Sequence, residues 1–199
     1  MAEVLVVCTG NVCRSPIAEG FLRAAFEARF GAAAPMVASA GTMGWTGSGA
    51  DPSSIRAAAE RGVDISSHRA RELSVDDVVH SELIVAMAPE HRRAVVATVA
   101  EAYPRTFGIK ELVRLLDALP ETDPALGEGH LVDRVAEADR LRREGFVGDP
   151  RDETIDDPLG RPIDAFRDVA RELDAWCTRL VVGLFGDAEA RPATGTTGA

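Results

Sequence analysis

Val4-Leu5-Val6-Val7-Cys8-Thr9-Gly10-Asn11-Val12-Cys13-Arg14-Ser15-Pro16 is the stretch whose reading decides the fold. Its first four residues are a continuous apolar run bounded by turn residues, the pattern of a buried strand. Pro16 followed by Ile17, Ala18, Phe21, Leu22, Ala25 and Phe26 has helical spacing, with proline in the first turn. The segment between them therefore joins the carboxyl end of a strand to the amino end of a helix. In open α/β sheets that is where ligands bind, and a helix amino terminus offers unpaired N–H groups and partial positive charge to an anion.

The residues of this loop add chemistry to that generic anion site. Cys8, at the strand end beside outward-facing amides, a guanidinium and a helix dipole, is placed to carry its sulfur as a thiolate nucleophile. Arg14 returns to the same side six residues later and offers a planar fork of donors to two oxygens of a phosphate. The residues between, Thr9, Gly10, Asn11, Val12 and Cys13, suffice to wrap the backbone round a tetrahedral dianion. Gly10 permits the positive φ that such a nest requires, and Asn11 tolerates one better than most residues. Ser15 is in reach to donate its hydroxyl to the Cys8 sulfur.

The C-x5-R-S loop, with Asn11, Cys13 and Pro16 in place, resembles the low-molecular-weight protein tyrosine phosphatase family. Three further stretches add to the resemblance. A strand end Ser39-Ala40-Gly41, a helix start Asp51-Pro52, and the segment Asp64-Ile65-Ser66-Ser67-His68-Arg69-Ala70-Arg71 follow in the family's order. By that similarity Ser39 and His68 hydrogen-bond Asn11 and Ser15 and hold the phosphate loop in shape. Trp45, in a glycine-rich loop, stands where the family keeps an aromatic wall beside the substrate ring. Before the last helix the family carries an Asp-Pro pair whose aspartate faces the cysteine, and Asp157-Pro158 matches it. Asp149-Pro150 repeats the dipeptide but lies too far ahead of that helix, and Asp156 lacks the following proline. Leu159 and Gly160 replace the tyrosines that often follow, so their regulatory phosphorylation is not expected.

At 199 residues, 46% hydrophobic and 27% charged, the chain is long enough for one domain with a proper core. No apolar run approaches the ~20 residues of a membrane span, and Met1-Ala2-Glu3 lacks the basic start of a secretory signal. A soluble cytoplasmic protein without membrane association is the expectation. A net charge of -10 argues against sequence-independent nucleic-acid binding. Three cysteines in no zinc-type spacing argue against a disulfide framework and against a structural metal. Neither metal nor cofactor is expected.

The fold class implied is α/β: a single open, four-stranded parallel sheet with helices on both faces. Strands are expected at Val4–Val7, Met36–Ala40, Leu83–Met87 and near Thr106–Ile109, and helices at about Ser15–Phe30, from Asp51-Pro52 to Gly62, from Ser74, from Pro89, after Ile109, and at Ile163–Phe185. Phe166, Val169, Leu173, Trp176, Leu180, Val181 and Leu184 give the last of these one apolar face. Cys177 beside that face reads as a small buried hydrophobe. Residues 1–186 would form the phosphatase domain and 187–199 a disordered tail. Residues 120–148 depart most from the family, and Leu131–Arg143 within them reads as a charged helix on the solvated surface, with a place on the cleft rim as the other reading.

The resemblance implies a phosphatase that acts on phosphotyrosine in proteins and on small aryl phosphates through a cysteinyl phosphate. Cys8 would be the nucleophile, Arg14 the phosphate ligand and Asp157 the acid and then the base. The partner would be a phosphotyrosine-containing protein, a bacterial tyrosine kinase or one of its targets. Three other readings compete. Arsenate reductases use a similar loop but relay oxidation through two cysteines near the third strand, and Leu83–Arg93 has none. Protein arginine phosphatases carry threonine where Val12 stands. A non-catalytic phosphate-binding module would not need nucleophile, arginine, serine and acid together. Cys13 is either a small buried residue under the loop or a reversible disulfide partner that shields Cys8 from over-oxidation.

Overall fold

The computed structural model describes residues 3–120, 130–146 and 153–187. Four strands, β1 (Val4–Cys8), β2 (Val37–Gly41), β3 (Leu83–Ala86) and β4 (Thr106–Gly108), pair in parallel in the order β2-β1-β3-β4. The expected α/β architecture is the one observed. β1 lies inside the sheet, with Cys8 in register with Gly41 on one side and Val7 with Ala86 on the other. Its order reverses between β2 and β3, so the loop after β1 opens at the crevice where open α/β sheets take ligands.

The period of two along β1 sends its side chains to opposite faces. Val4, Val6 and Cys8 join a core with Phe21, Leu22 and Phe26 of α1 (Arg14–Phe30) and Phe166, Leu173 and Phe185 of α7 (Ile163–Phe185). Leu5 and Val7 face a smaller cluster with Val78 of α3 (Val75–His80) and Val95 of α4 (Pro89–Thr98). Phe26 and Phe185 meet edge to face, ring centroids 5.7 Å apart. Full burial of such a side chain contributes about 1.5–3 kcal/mol, which makes the α1–α7 contact a principal stabiliser.

Local signals place the helix ends. Gly31 ends α1 at φ 59°, and the Asp51 carboxylate accepts from Ser53 N at 2.7 Å ahead of α2 (Pro52–Ala59). Ser74 and Asp77 form a reciprocal capping box on α3. The strand-then-helix reading after Thr106 holds: β4 runs directly into α5 (Ile109–Asp117).

The charged helix α6 (His130–Arg143) corrects the surface reading. Leu131, Val135 and Ala138 are buried in the main core, and Arg134 and Asp139 are buried beside them. The Arg142 guanidinium lies over the rings of Tyr103 and Phe107, 4.5 and 4.1 Å from their centroids, and donates to Thr106 O and to Asp139. Both Arg142 and Arg143 pair with Asp139, so its buried carboxylate is neutralised from one turn along the helix. The stretches at 121–129 and 147–152, including Asp149-Pro150, and the tail from 188 lie outside the described residues.

Candidate active site

The phosphate loop is held from outside by its carbonyls. Thr42 N donates to Cys8 O, Met43 N to Thr9 O, Trp45 N to Gly10 O and Asp51 N to Val12 O, all at 2.8–3.1 Å, while His68 Nε2 donates to Asn11 O at 2.8 Å. Among the described residues the main-chain amides of Thr9 to Cys13 find no acceptor. A loop whose carbonyls all point outward presents its N–H groups to the concavity, which is how a nest binds an anion. Close approach of the 41–45 segment requires glycine at 41: a Cβ there would run into Thr9 O and the Gly44 Cα.

Of the two loop residues suited to a positive φ, the structure uses the second. Asn11, at φ 56°, is the residue with left-handed backbone, and Gly10 has no positive φ. The asparagine side chain explains why it can occupy that region, because every group on it is used. Nδ2 donates to Ser15 Oγ at 2.9 Å and to Ser39 Oγ at 2.7 Å, and Oδ1 accepts from Arg71 N at 3.0 Å. Since Ser15 Oγ accepts from Asn11, its own proton is left for Cys8 Sγ, 2.9 Å away. Ser39 in turn donates to Glu19 Oε2 at 2.6 Å. Ser39 and His68 thus both reach Asn11, one at the side chain and one at the main chain, whereas Ser15 is reached through Asn11 and not by His68.

Arg14, only 4% exposed, enters the pocket from the first turn of α1. Nη1 donates to Ile155 O at 3.2 Å, and Nη2 donates to Asp157 Oδ2 at 2.6 Å and to Thr9 Oγ1 at 3.4 Å. The loop that carries Asp157 is seated by Ile155, whose N donates to Met87 O at 2.9 Å at the end of β3. Asp157 Oδ1 accepts from Leu159 N at 3.1 Å, which aims the carboxylate back toward Arg14. Asp156, by contrast, points to solvent. A pocket of about 70 Å³ collects Cys8, Thr9, Gly10, Val12, Cys13, Arg14, Trp45, Asp157 and Leu159. Residues 149 positions apart in the chain therefore converge on one concavity, with half-exposed Trp45 and Leu159 at its mouth.

The other two cysteines are quieter. Burial pushes the Cys13 thiol up to about 12, and burial raises the Cys177 thiol as well. Sequence reasoning did not find His91, which is buried in the first turn of α4 with Nε2 2.9 Å from Thr9 Oγ1. Its one legible signal is position, since a helix that starts directly after β3 begins at the same end of the sheet as the 8–15 loop. Glu19 and the Arg71 amide, which complete the web round Asn11, were likewise missed.

The model of the low molecular weight phosphotyrosine protein phosphatase family matches residues 3–129. The chain belongs to this family. Among family members it is 40% identical over 94 residues to a probable low molecular weight protein-tyrosine-phosphatase, EpsP, of Ralstonia solanacearum, covering 47% of this chain and 61% of that one. Etp of Escherichia coli K12 is 38% identical over 105 residues, 53% of this chain and 67% of its own. The chain thus spans about three fifths of the length of the first curated relatives it matches. Solved structures of the family cover more of it. The low molecular weight protein tyrosine phosphatase of T. tengcongensis superposes with a TM-score of 0.66 at 30% identity, over 91% of this chain and 98% of that one. The YwlE arginine phosphatase of Geobacillus stearothermophilus gives 0.65 at 27%, over 90% of each.

Proposed function

We propose that the chain hydrolyses phosphotyrosine in proteins, and small aryl phosphates, through a cysteinyl-phosphate intermediate. The observation that carries this reading is the convergence of Cys8 Sγ, the Arg14 guanidinium and the Asp157 carboxyl on one small pocket floored by unpaired amides. Family membership and the names of the relatives point the same way.

In this reading the phosphate dianion docks on the amides and takes over the Arg14 Nη2 that Asp157 occupies here. Cys8 attacks phosphorus in line; the phosphorus–oxygen bond to the phenol breaks, and Asp157 gives its proton to the departing oxygen. Asp157 then removes a proton from water, the hydroxide oxygen bonds phosphorus, and the phosphorus–sulfur bond breaks to return the thiolate. Ser15, with its proton aimed at Sγ, stabilises the sulfur anion at both ends of the cycle. Arg14 and the amides stabilise the charge spread over the equatorial oxygens. Trp45 and Leu159 offer the apolar mouth that an aromatic ring entering in line with Cys8 would need.

The substrate protein would be the product of a tyrosine kinase, either the kinase itself or one of its targets, and the setting the cytoplasm; among the described residues no helix is long and apolar enough to cross a membrane. The likeness to the Geobacillus arginine phosphatase favours a second reading, phosphoarginine hydrolysis, against which stands Val12, a loop residue with no hydroxyl. Phosphotyrosine, phosphoarginine and phosphoserine peptides assayed side by side, with and without chelator, test both. The expected result is release of phosphate from phosphotyrosine alone, unchanged by chelator. Preferential release from phosphoarginine overturns the tyrosine assignment, and no release from any peptide overturns both.

A further inference from the structure

His91 is a polar ring in a place where polar rings are expensive. It is 1% exposed; Nε2 lies 2.9 Å from Thr9 Oγ1, and Nδ1 is buried with no hydrogen-bond partner among the described residues. Burial, reinforced by the nearby Arg14 charge, pushes the imidazole down to about 4, so it is neutral near pH 7 and carries one N–H.

Where that hydrogen sits decides what Thr9 does. Arg14 Nη2, 3.4 Å from Thr9 Oγ1, can only donate, so the threonine oxygen already accepts once. With the ring hydrogen on Nδ1, a buried N–H would have no acceptor, and the threonine proton would be spent on Nε2. With the hydrogen on Nε2, only a lone pair goes unsatisfied, which buried structures tolerate better than an orphaned N–H. The hydroxyl then accepts from both His91 and Arg14, and its own proton is free. Thr9 lines the pocket that holds Cys8, Arg14 and Asp157, so that proton has the concavity to point into.

We infer that His91 is a positioning residue of this site: by donating from Nε2 to Thr9 Oγ1 it frees the threonine hydroxyl to donate to a non-bridging oxygen of the bound phosphoryl group. The inference rests on the phosphatase reading and adds one side-chain donor to the phosphate cradle. A hydrogen bond to a dianion of this kind is worth about a tenfold change in affinity. Because a non-bridging oxygen is already in place before the chemistry, the gain falls on binding more than on turnover.

The test has two arms on the full chain. Nitrogen-15 spectroscopy of the wild-type His91 ring at pH 7 is expected to show hydrogen on Nε2 and a bare Nδ1. In the second arm, His91→Leu and Thr9→Val are each expected to raise the inhibition constant of inorganic phosphate and the KM for an aryl phosphate about tenfold, with kcat changed less than about threefold. The double variant should be no worse than either single one, and His91→Gln, whose amide nitrogen can still donate, should recover most of the loss. Hydrogen on Nδ1, an unchanged phosphate constant in Thr9→Val, or losses that multiply in the double variant overturn the inference while leaving the phosphatase reading intact, provided that the wild type binds phosphate and turns over. A wild type that does neither removes both.

Discussion

The two loops that meet at the pocket are held in opposite ways. Residues 8–15 are fixed by shape: every carbonyl from Cys8 to Val12 is taken by an outside N–H donor, and Asn11 is buried with its whole amide engaged. The acid loop is fixed at few points: Ile155 N on Met87 O, Ile155 O and Asp157 on Arg14, and the Glu153 carboxylate on Arg114. The Asp157 side chain is 46% exposed against 5% for Arg14. The difference fits the proposed roles of the two loops. A cradle for a dianion must be preorganised, whereas an acid must shed one partner and take up another within each cycle.

Removing the nucleophile should separate the loops most sharply. Cys8→Ser should lower turnover of an aryl phosphate by at least about three orders of magnitude, read by stopped or continuous phosphate release, while phosphate affinity survives. Asp157→Ala should slow cysteine phosphorylation on the order of 10²–10³-fold for alkaline phenol leaving groups and far less for acidic ones. An equal loss for both would remove Asp157 from the acid role and leave it only as a tether for Arg14. Asn11→Ala strands the hydroxyls and amide that it now satisfies and introduces a Cβ-only side chain at φ 56°; a loss of about 2–4 kcal/mol in urea unfolding is expected. A loss under about 1 kcal/mol would mean that the loop is not held by shape.

His91, between the two loops, makes a pH prediction. Its folded value of about 4 lies below the ordinary 6.5, so between those values the unfolded chain binds a proton that the folded chain does not. Stability therefore rises with pH across this window and is lost on acidification, by roughly 3 kcal/mol in full. Denaturation midpoints from pH 7 to 4 should fall more steeply for the wild type than for His91→Gln. The smallest effect belongs to the Arg114–Glu153 pair: Glu153→Gln should cost about 1 kcal/mol or less, and its influence on the rate should appear only with poor leaving groups, where Asp157 matters.

The cradle was the more legible half in the sequence, for the same reason that it is the more rigid. Its strand, turn residues and helix start are contiguous, so Val4–Val7, Cys8, Arg14 and Pro16 declare themselves within one window. The partners that tie it down come from elsewhere. Ser39 and His68 entered only through family resemblance, while Glu19, Arg71 and His91 are polar residues on ordinary helices and loops that topology alone brings near. Helix α6 misled for a different reason. Its apolar stripe is three residues wide, Leu131, Val135 and Ala138, and its buried charges are paired, Asp139 with Arg142 and Arg143 and Arg134 with Glu137, so composition signals solvent where the structure shows core. The left-handed position fell on Asn11 because a glycine there would supply the backbone freedom but none of the three hydrogen bonds.

The chain has two tryptophans, and they sit in contrasting company. Trp176 of α7 rests under the Arg179 guanidinium at 4.6 Å and the Lys110 ammonium at 6.0 Å, whereas Trp45 stands half in water at the pocket mouth. The molecule thus carries its own optical gauge: a Trp176→Phe variant would leave indole emission from Trp45 alone, so that the arrival of a ligand in the cleft can be timed by fluorescence before any bond is broken.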